Sequence, residues 1–97
     1  MPPIRLDSDN LELEVDGAVV PITPSMVRLL EPLLQRPGRS MPCVRLEELV
    51  YGVINLDAPG QGVWDTRGRL ARRLRGAGIA PERVVQLRRG RISVSPD

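Results

Sequence analysis

The sequence predicts an α+β domain: an N-terminal β-hairpin or small sheet, three helices, and a C-terminal β-hairpin. Three observations predict it. Residues 11–22 alternate with period two around Asp16-Gly17, and three later segments carry apolar residues at spacings of three and four. Near the C-terminus, two short apolar runs flank Arg88-Arg89-Gly90-Arg91. A chain of 97 residues suits one domain.

Residues 1–10 are polar and Pro-rich and read as an N-terminal arm or a first edge strand, ahead of a domain spanning 11–97. Leu11-Glu12-Leu13-Glu14-Val15 is a half-buried strand, with Glu12 and Glu14 on its outer side. Asp16-Gly17 supplies a tight turn, and Ala18-Val19-Val20-Pro21-Ile22 returns, with Pro21 placing that strand at an edge. Thr23-Pro24 is a helix start, hydroxyl cap followed by Pro at the first helical position. Met26, Leu29, Leu30, Leu33 and Leu34 form the apolar face of that helix, which Pro32 should kink or end early and Pro37-Gly38 closes. Pro42 opens a second helix with Cys43, Leu46, Leu49 and Val50 as apolar positions, Tyr51 near its end as a core residue, and Gly52 as its stop. Residues 53–62 read as an exposed loop. A third helix covers about 63–75, with Val63, Leu70 and Leu74 on one side and Asp65, Arg69 and Arg72 opposite. Arg67 falls near its apolar side, where it snorkels outward or pairs with Glu47 or Glu48. Strands at 84–87 and 92–94 follow, joined by the Arg-rich tip. Three helices followed by a hairpin is the plan of a winged helix-turn-helix.

Charge is distributed unevenly along the chain. Residues 1–61 carry five Arg against nine carboxylates, whereas residues 62–97 carry nine Arg against three. A basic C-terminal third on a mildly acidic body suggests one face for a polyanion, against the plainer alternative of a solvated Arg-rich helix. All fourteen basic residues are Arg, as a GC-rich genome would produce and as bidentate contact with phosphate or guanine would favour. With Trp64 and Tyr51 the only aromatics, the core must be aliphatic.

Little points to catalysis, and no cofactor or metal is expected. His is absent, removing the commonest general base, and Cys43 alone provides neither a nucleophile–base pair nor a zinc set. A single Cys forms no intrachain disulfide and agrees with a reducing compartment. There is no signal-peptide pattern and no apolar run long enough for a bilayer, so a cytoplasmic, nucleoid-associated protein without membrane contact is expected.

Four stretches together resemble the winged-helix effector domain of OmpR/PhoB-type response regulators, here expected without a receiver domain. They are Asp16-Gly17 with Ile22-Thr23-Pro24 and Leu29-Leu30; Pro37-Gly38 with Leu46 and Val50-Tyr51-Gly52; Leu70-Ala71-Arg72-Arg73-Leu74; and Leu87 to Val94. The likeness covers roughly residues 11–94, departing from the family pattern at Met26, Arg67, Ala71, Arg89, Arg91 and Ile92. It implies that the third helix enters the DNA major groove and that Trp64, Asp65, Gly68, Arg69 and Arg72 form its reading surface. Helical spacing independently sets Asp65, Arg69 and Arg72 away from the core.

The expected DNA-binding set is therefore Trp64, Asp65, Thr66, Arg69, Arg72, Arg73, Arg75, Arg88, Arg89 and Arg91. Arg69 and Arg72 suit guanine edges or phosphates, Arg73 and Arg75 phosphates, and the Arg88–Arg91 wing the minor groove or phosphates. Asp65 would accept from a cytosine amino group or orient a neighbouring Arg; Trp64 would pack over the loop at Pro59 or contact a partner. The leading function is a bacterial or phage transcription regulator binding double-stranded DNA as a homodimer or array. One alternative is an interaction module for RNA polymerase or another regulator, with residues 53–62 as one possible contact loop. Another is an adaptor that oligomerises through the strand face of Leu11 and Leu13.

Overall fold

The structure, a computed structural model, describes residues 4–53 and 56–95. Residues 1–3 of the expected arm, 54–55 of the expected loop and the last two residues lie outside the described residues.

Residues 4–7 of the first ten form a strand at the edge of a sheet. Strand β1 (Ile4–Asp7) pairs antiparallel with β2 (Glu12–Val15), which pairs with β3 (Ala18–Pro21). The Asp7 carboxylate closes the β1–β2 turn by accepting from the Asp9 and Asn10 backbone N–H groups and from the Asn10 side chain. Those bonds, the Asn10 side chain first, hold Asp7 below the usual carboxylate range. Asp16 and Gly17 both take positive φ (50° and 90°), the geometry of a two-residue hairpin turn matched to strand twist. The register sets Leu6, Leu13 and Val20 side by side on the inner face and Arg5, Glu14 and Val19 on the outer one. Leu13 is fully buried in the domain's own core, so the strand face expected to mediate oligomerisation is already occupied, and Leu11 packs partly against the same core.

Helix α1 (Pro24–Leu34) begins as expected, with Thr23 Oγ1 accepting from the Met26 N–H, and buries Met26, Val27, Leu29, Leu30 and Leu33. It passes through Pro32 and ends at Leu34. A two-residue strand, β4 (Met41–Pro42), then precedes helix α2 (Cys43–Tyr51), so Pro42 caps α2 and belongs to a sheet rather than starting the helix. Gly52, at φ 78°, ends α2 in the left-handed region. The buried stripe of α2 is Cys43, Leu46, Glu47 and Val50. Leu49 lies just off that stripe and is 57 % exposed, contrary to its assignment as an inward position.

Helix α3 (Gln61–Gly76) starts two residues earlier than its apolar pattern indicates and buries Val63, Thr66, Leu70, Ala71 and Leu74. A short 3-10 turn (Pro81–Arg83) leads to strands β5 (Val85–Arg88) and β6 (Arg91–Val94), and the second sheet has the order β4-β6-β5. An Arg83–Asp16 pair, with guanidinium nitrogens 2.8 and 3.0 Å from the two carboxylate oxygens, links that turn to the first hairpin. Buried aliphatic side chains from all three helices and both sheets form one core. At about 0.8 kcal/mol per buried methylene, this shared core, rather than any single helix, supplies the main stabilisation. The architecture is the winged helix-turn-helix.

Candidate nucleic-acid interface

The seam between α2 and α3 decides which side of α3 faces outward. Glu47, only 2 % exposed, accepts from the Gly62 N–H at 2.8 Å and so satisfies one of the orphan donors of the first α3 turn. The Tyr51 hydroxyl donates to the Gly62 carbonyl at 3.1 Å and is also hydrogen-bonded to Thr66 Oγ1. Glycine is needed at 62, because a Cβ there would stand 2.8 Å from Tyr51 Cε2. Two expectations are corrected at this seam. Thr66 is 1 % exposed and engaged by Tyr51, which removes it from the outward-facing set: it falls on the stripe of Val63 and Leu70. Tyr51 is 40 % exposed and works as a hydrogen-bonded brace between helices instead of filling the core.

With that side held inward, Trp64, Asp65, Gly68, Arg69 and Arg72 line one open depression on the outer face of α3. These are the five residues marked as the reading surface from sequence. Gln61, missed because the helix was expected to begin later, donates from Nε2 to Asp65 Oδ1 at 2.8 Å. Its spacing of four from Asp65 was the available signal. Asp65 is thus oriented by an amide, not by an arginine. Trp64 is 52 % exposed, and the Arg67 guanidinium carbon lies 5.2 Å from its ring centroid, a cation–π contact. Among the described residues, Arg67 Nε is buried without a hydrogen-bond partner. Trp64 and Arg67 also border a second groove, shared with Gln86, Leu87 and Arg88 of β5.

The arginines divide into two groups. Arg73 donates to the Pro21 carbonyl at 3.0 Å, and Arg91 donates to Ser40 Oγ at 2.9 Å and to the Ser40 carbonyl at 3.1 Å. Both are exposed and are drawn toward neighbouring segments of the fold, in addition to the phosphate and wing contacts expected of them. The side chains of Arg69, Arg72, Arg75, Arg88 and Arg89 have no hydrogen bond or ion pair among the described residues, and all five are exposed. The wing tip is a two-residue turn in which Arg89 and Gly90 take φ of 52° and 73°. Cross-strand pairing of Arg88 with Arg91 puts like charges opposite each other, and the Ser40 contacts draw Arg91 toward β4. Chemically, the outer surface offers open guanidinium donors, one carboxylate acceptor and one flat apolar ring.

Cys43 sits beneath Gly60 at the start of α3, its Cβ 3.3 Å from where a glycine Cβ would stand, and burial raises its thiol pKa. Among the described residues, no group of three or more His, Cys, Asp or Glu side chains is placed to hold a metal ion. None of their helices is long and apolar enough to cross a membrane.

No family model and no curated protein matches the sequence. A solved structure does match the fold: the response regulator AdeR DNA binding domain in complex with an intercistronic region. The TM-score is 0.72, over 100 % of this chain and 97 % of that one, at 14 % sequence identity. At that identity the likeness establishes the fold, and it extends over the whole winged helix-turn-helix.

Proposed function

We propose that the protein binds double-stranded DNA, with α3 in the major groove and the Arg88–Arg89 wing tip on the minor groove or its phosphates, and regulates transcription. The observation that carries this reading is the set of uncommitted guanidinium groups on the outer side of α3 and on the wing: Arg69 and Arg72 in the α3 depression, Arg75 near the end of the helix, Arg88 on the groove that Trp64 also borders, and Arg89 at the wing tip. A polyanion is the ligand class that such a surface fits. That the AdeR domain of the same fold was solved with an intercistronic region supports the choice of duplex DNA. Arg69 and Arg72 are assigned to guanine edges, and Arg75, Arg88 and Arg89 to phosphates. A single domain of this size covers limited DNA surface, so a homodimer or an array on DNA is the assembly we favour.

Fluorescence anisotropy with a labelled pool of GC-rich duplexes tests the reading. Binding should weaken steeply with salt and vanish in Arg69→Ala/Arg72→Ala, with the circular dichroism of the variant unchanged. Failure of the folded wild-type protein to bind at low salt overturns it. One observation favours a second reading, a protein-docking module for RNA polymerase or another regulator. Leu49, Val53 and Leu56 are exposed around the α2–α3 connection, apolar side chains that a protein partner could cover. That reading predicts a partner that stays bound after nuclease treatment and is released by Leu49→Ser.

A further inference from the structure

We infer that Asp65 is a specificity-determining residue that accepts a hydrogen bond from the exocyclic amino group of a cytosine, and that Gln61 is the positioning residue that holds its carboxylate for this. The inference rests on the DNA-binding reading above.

Asp65 is the one acid in a depression otherwise lined by two arginines, a tryptophan and a glycine. Arg69 stands four residues later on the same face, the spacing at which an acid and a base on a helix ordinarily pair. Here they do not: Asp65 Oδ1 is held by Gln61 Nε2 at 2.8 Å, and the Arg69 side chain has no ion pair among the described residues. Asp65 Oδ2 likewise has no hydrogen-bond partner among them. The carboxylate is thus bonded to Gln61 and not to Arg69, which leaves one acceptor and one guanidinium in the same depression, both exposed.

A carboxylate only accepts hydrogen bonds and repels phosphate, so it contributes nothing to affinity for the DNA backbone. On the major-groove edges only cytosine N4 and adenine N6 donate. Beside adenine N6 stands the acceptor N7, which repels a carboxylate, whereas beside cytosine N4 stands a C–H. The guanine paired with that cytosine, or next to it, offers O6 and N7 to a guanidinium one helical turn along, which is where Arg69 stands. The pair therefore fits a C·G base pair, or neighbouring C and G, and penalises sequences that present acceptors to Asp65.

Selection from a randomised duplex library with wild type, Asp65→Asn and Gln61→Ala tests the inference. All three should fold, since both side chains are exposed. Wild type should show one position where cytosine is preferred over thymine by about tenfold. Asp65→Asn should move that position toward adenine, which an amide reads through N6 and N7, while binding unrelated duplexes no more weakly than wild type does. Gln61→Ala should reduce the same preference and leave the other positions unchanged. An Asp65→Asn variant that selects the same base as wild type, with all sequences strengthened or weakened alike, overturns the role of Asp65 alone. Wild type that enriches no sequence overturns both this inference and sequence-specific DNA binding.

Discussion

The division of the arginines into held and open groups makes a quantitative prediction about salt. Each phosphate contacted contributes about 0.9 to the slope of log affinity against log salt on B-form DNA. Assigning Arg75, Arg88 and Arg89 to phosphates gives the wild type a slope near −2.7, or about a 40-fold loss of affinity between roughly 50 and 200 mM salt. Arg88→Ala/Arg89→Ala should bring the slope to about −0.9, leaving a loss of only about 3.5-fold over the same range. Arg73→Ala and Arg91→Ala provide the contrast. Their side chains bond to Pro21 and Ser40, so each variant should lose up to about 1 kcal/mol of unfolding free energy, read as a lower urea midpoint, and shift the slope by much less than the wing variant does. Anisotropy titrations of one labelled duplex at five or so salt concentrations, paired with urea unfolding of each variant, measure both quantities. Equal slope changes for the wing pair and for the held pair would refute the division, since the contacts to Pro21 and Ser40 would then not restrain those side chains in solution.

Other consequences concern the helix that carries the site. Tyr51→Phe strips the buried Thr66 hydroxyl of its partner and should cost about 1–2 kcal/mol in urea unfolding; added Thr66→Val removes the stranded group, so the double variant should lose less than the sum of the singles. Additive losses would mean that the two hydroxyls do not interact. Gly68 stands mid-helix with nothing within 4 Å of a Cβ added there, so Gly68→Ala should raise stability by about 0.5–1 kcal/mol. If DNA approaches the α3 depression closely, the same variant binds more weakly despite its stability, and unchanged binding would place the contact elsewhere. Burial holds the Cys43 thiol above its ordinary pKa of 9.0, so a thiol reagent should label it slowly in the native protein and quickly after unfolding. A folded-state pKa raised in this way gives a contribution fully present below the ordinary value and lost as pH climbs through the raised one, so unfolding midpoints should begin to fall as pH passes 9.0 and stop responding to this thiol above its raised pKa.

Much of this protein was legible in its sequence because burial leaves a local period. Alternation around Asp16-Gly17, spacings of three and four in the helices, and Gly90 in a short basic link marked the first hairpin, α1, α3 and the wing. The same periodicity assigned Asp65, Arg69 and Arg72 to the outside of α3. Strand β4 escaped because two residues, Met41 and Pro42, are too few to show a period; they are strand only because β6 lies beside them. Thr66 was misplaced for a related reason: a hydroxyl is counted as polar until a partner from another helix, here Tyr51, makes its burial affordable. The arginines show the limit most plainly. Fourteen identical side chains are indistinguishable by chemistry, and what separates Arg73 and Arg91 from Arg72 and Arg89 is a carbonyl or hydroxyl more than fifty residues away in the chain. Local pattern decided where positive charge accumulates. Only the packing of distant segments decided which of those charges are consumed by the fold and which are left for a ligand, because hydrogen-bond partners are fixed by position in space and carry no sequence period.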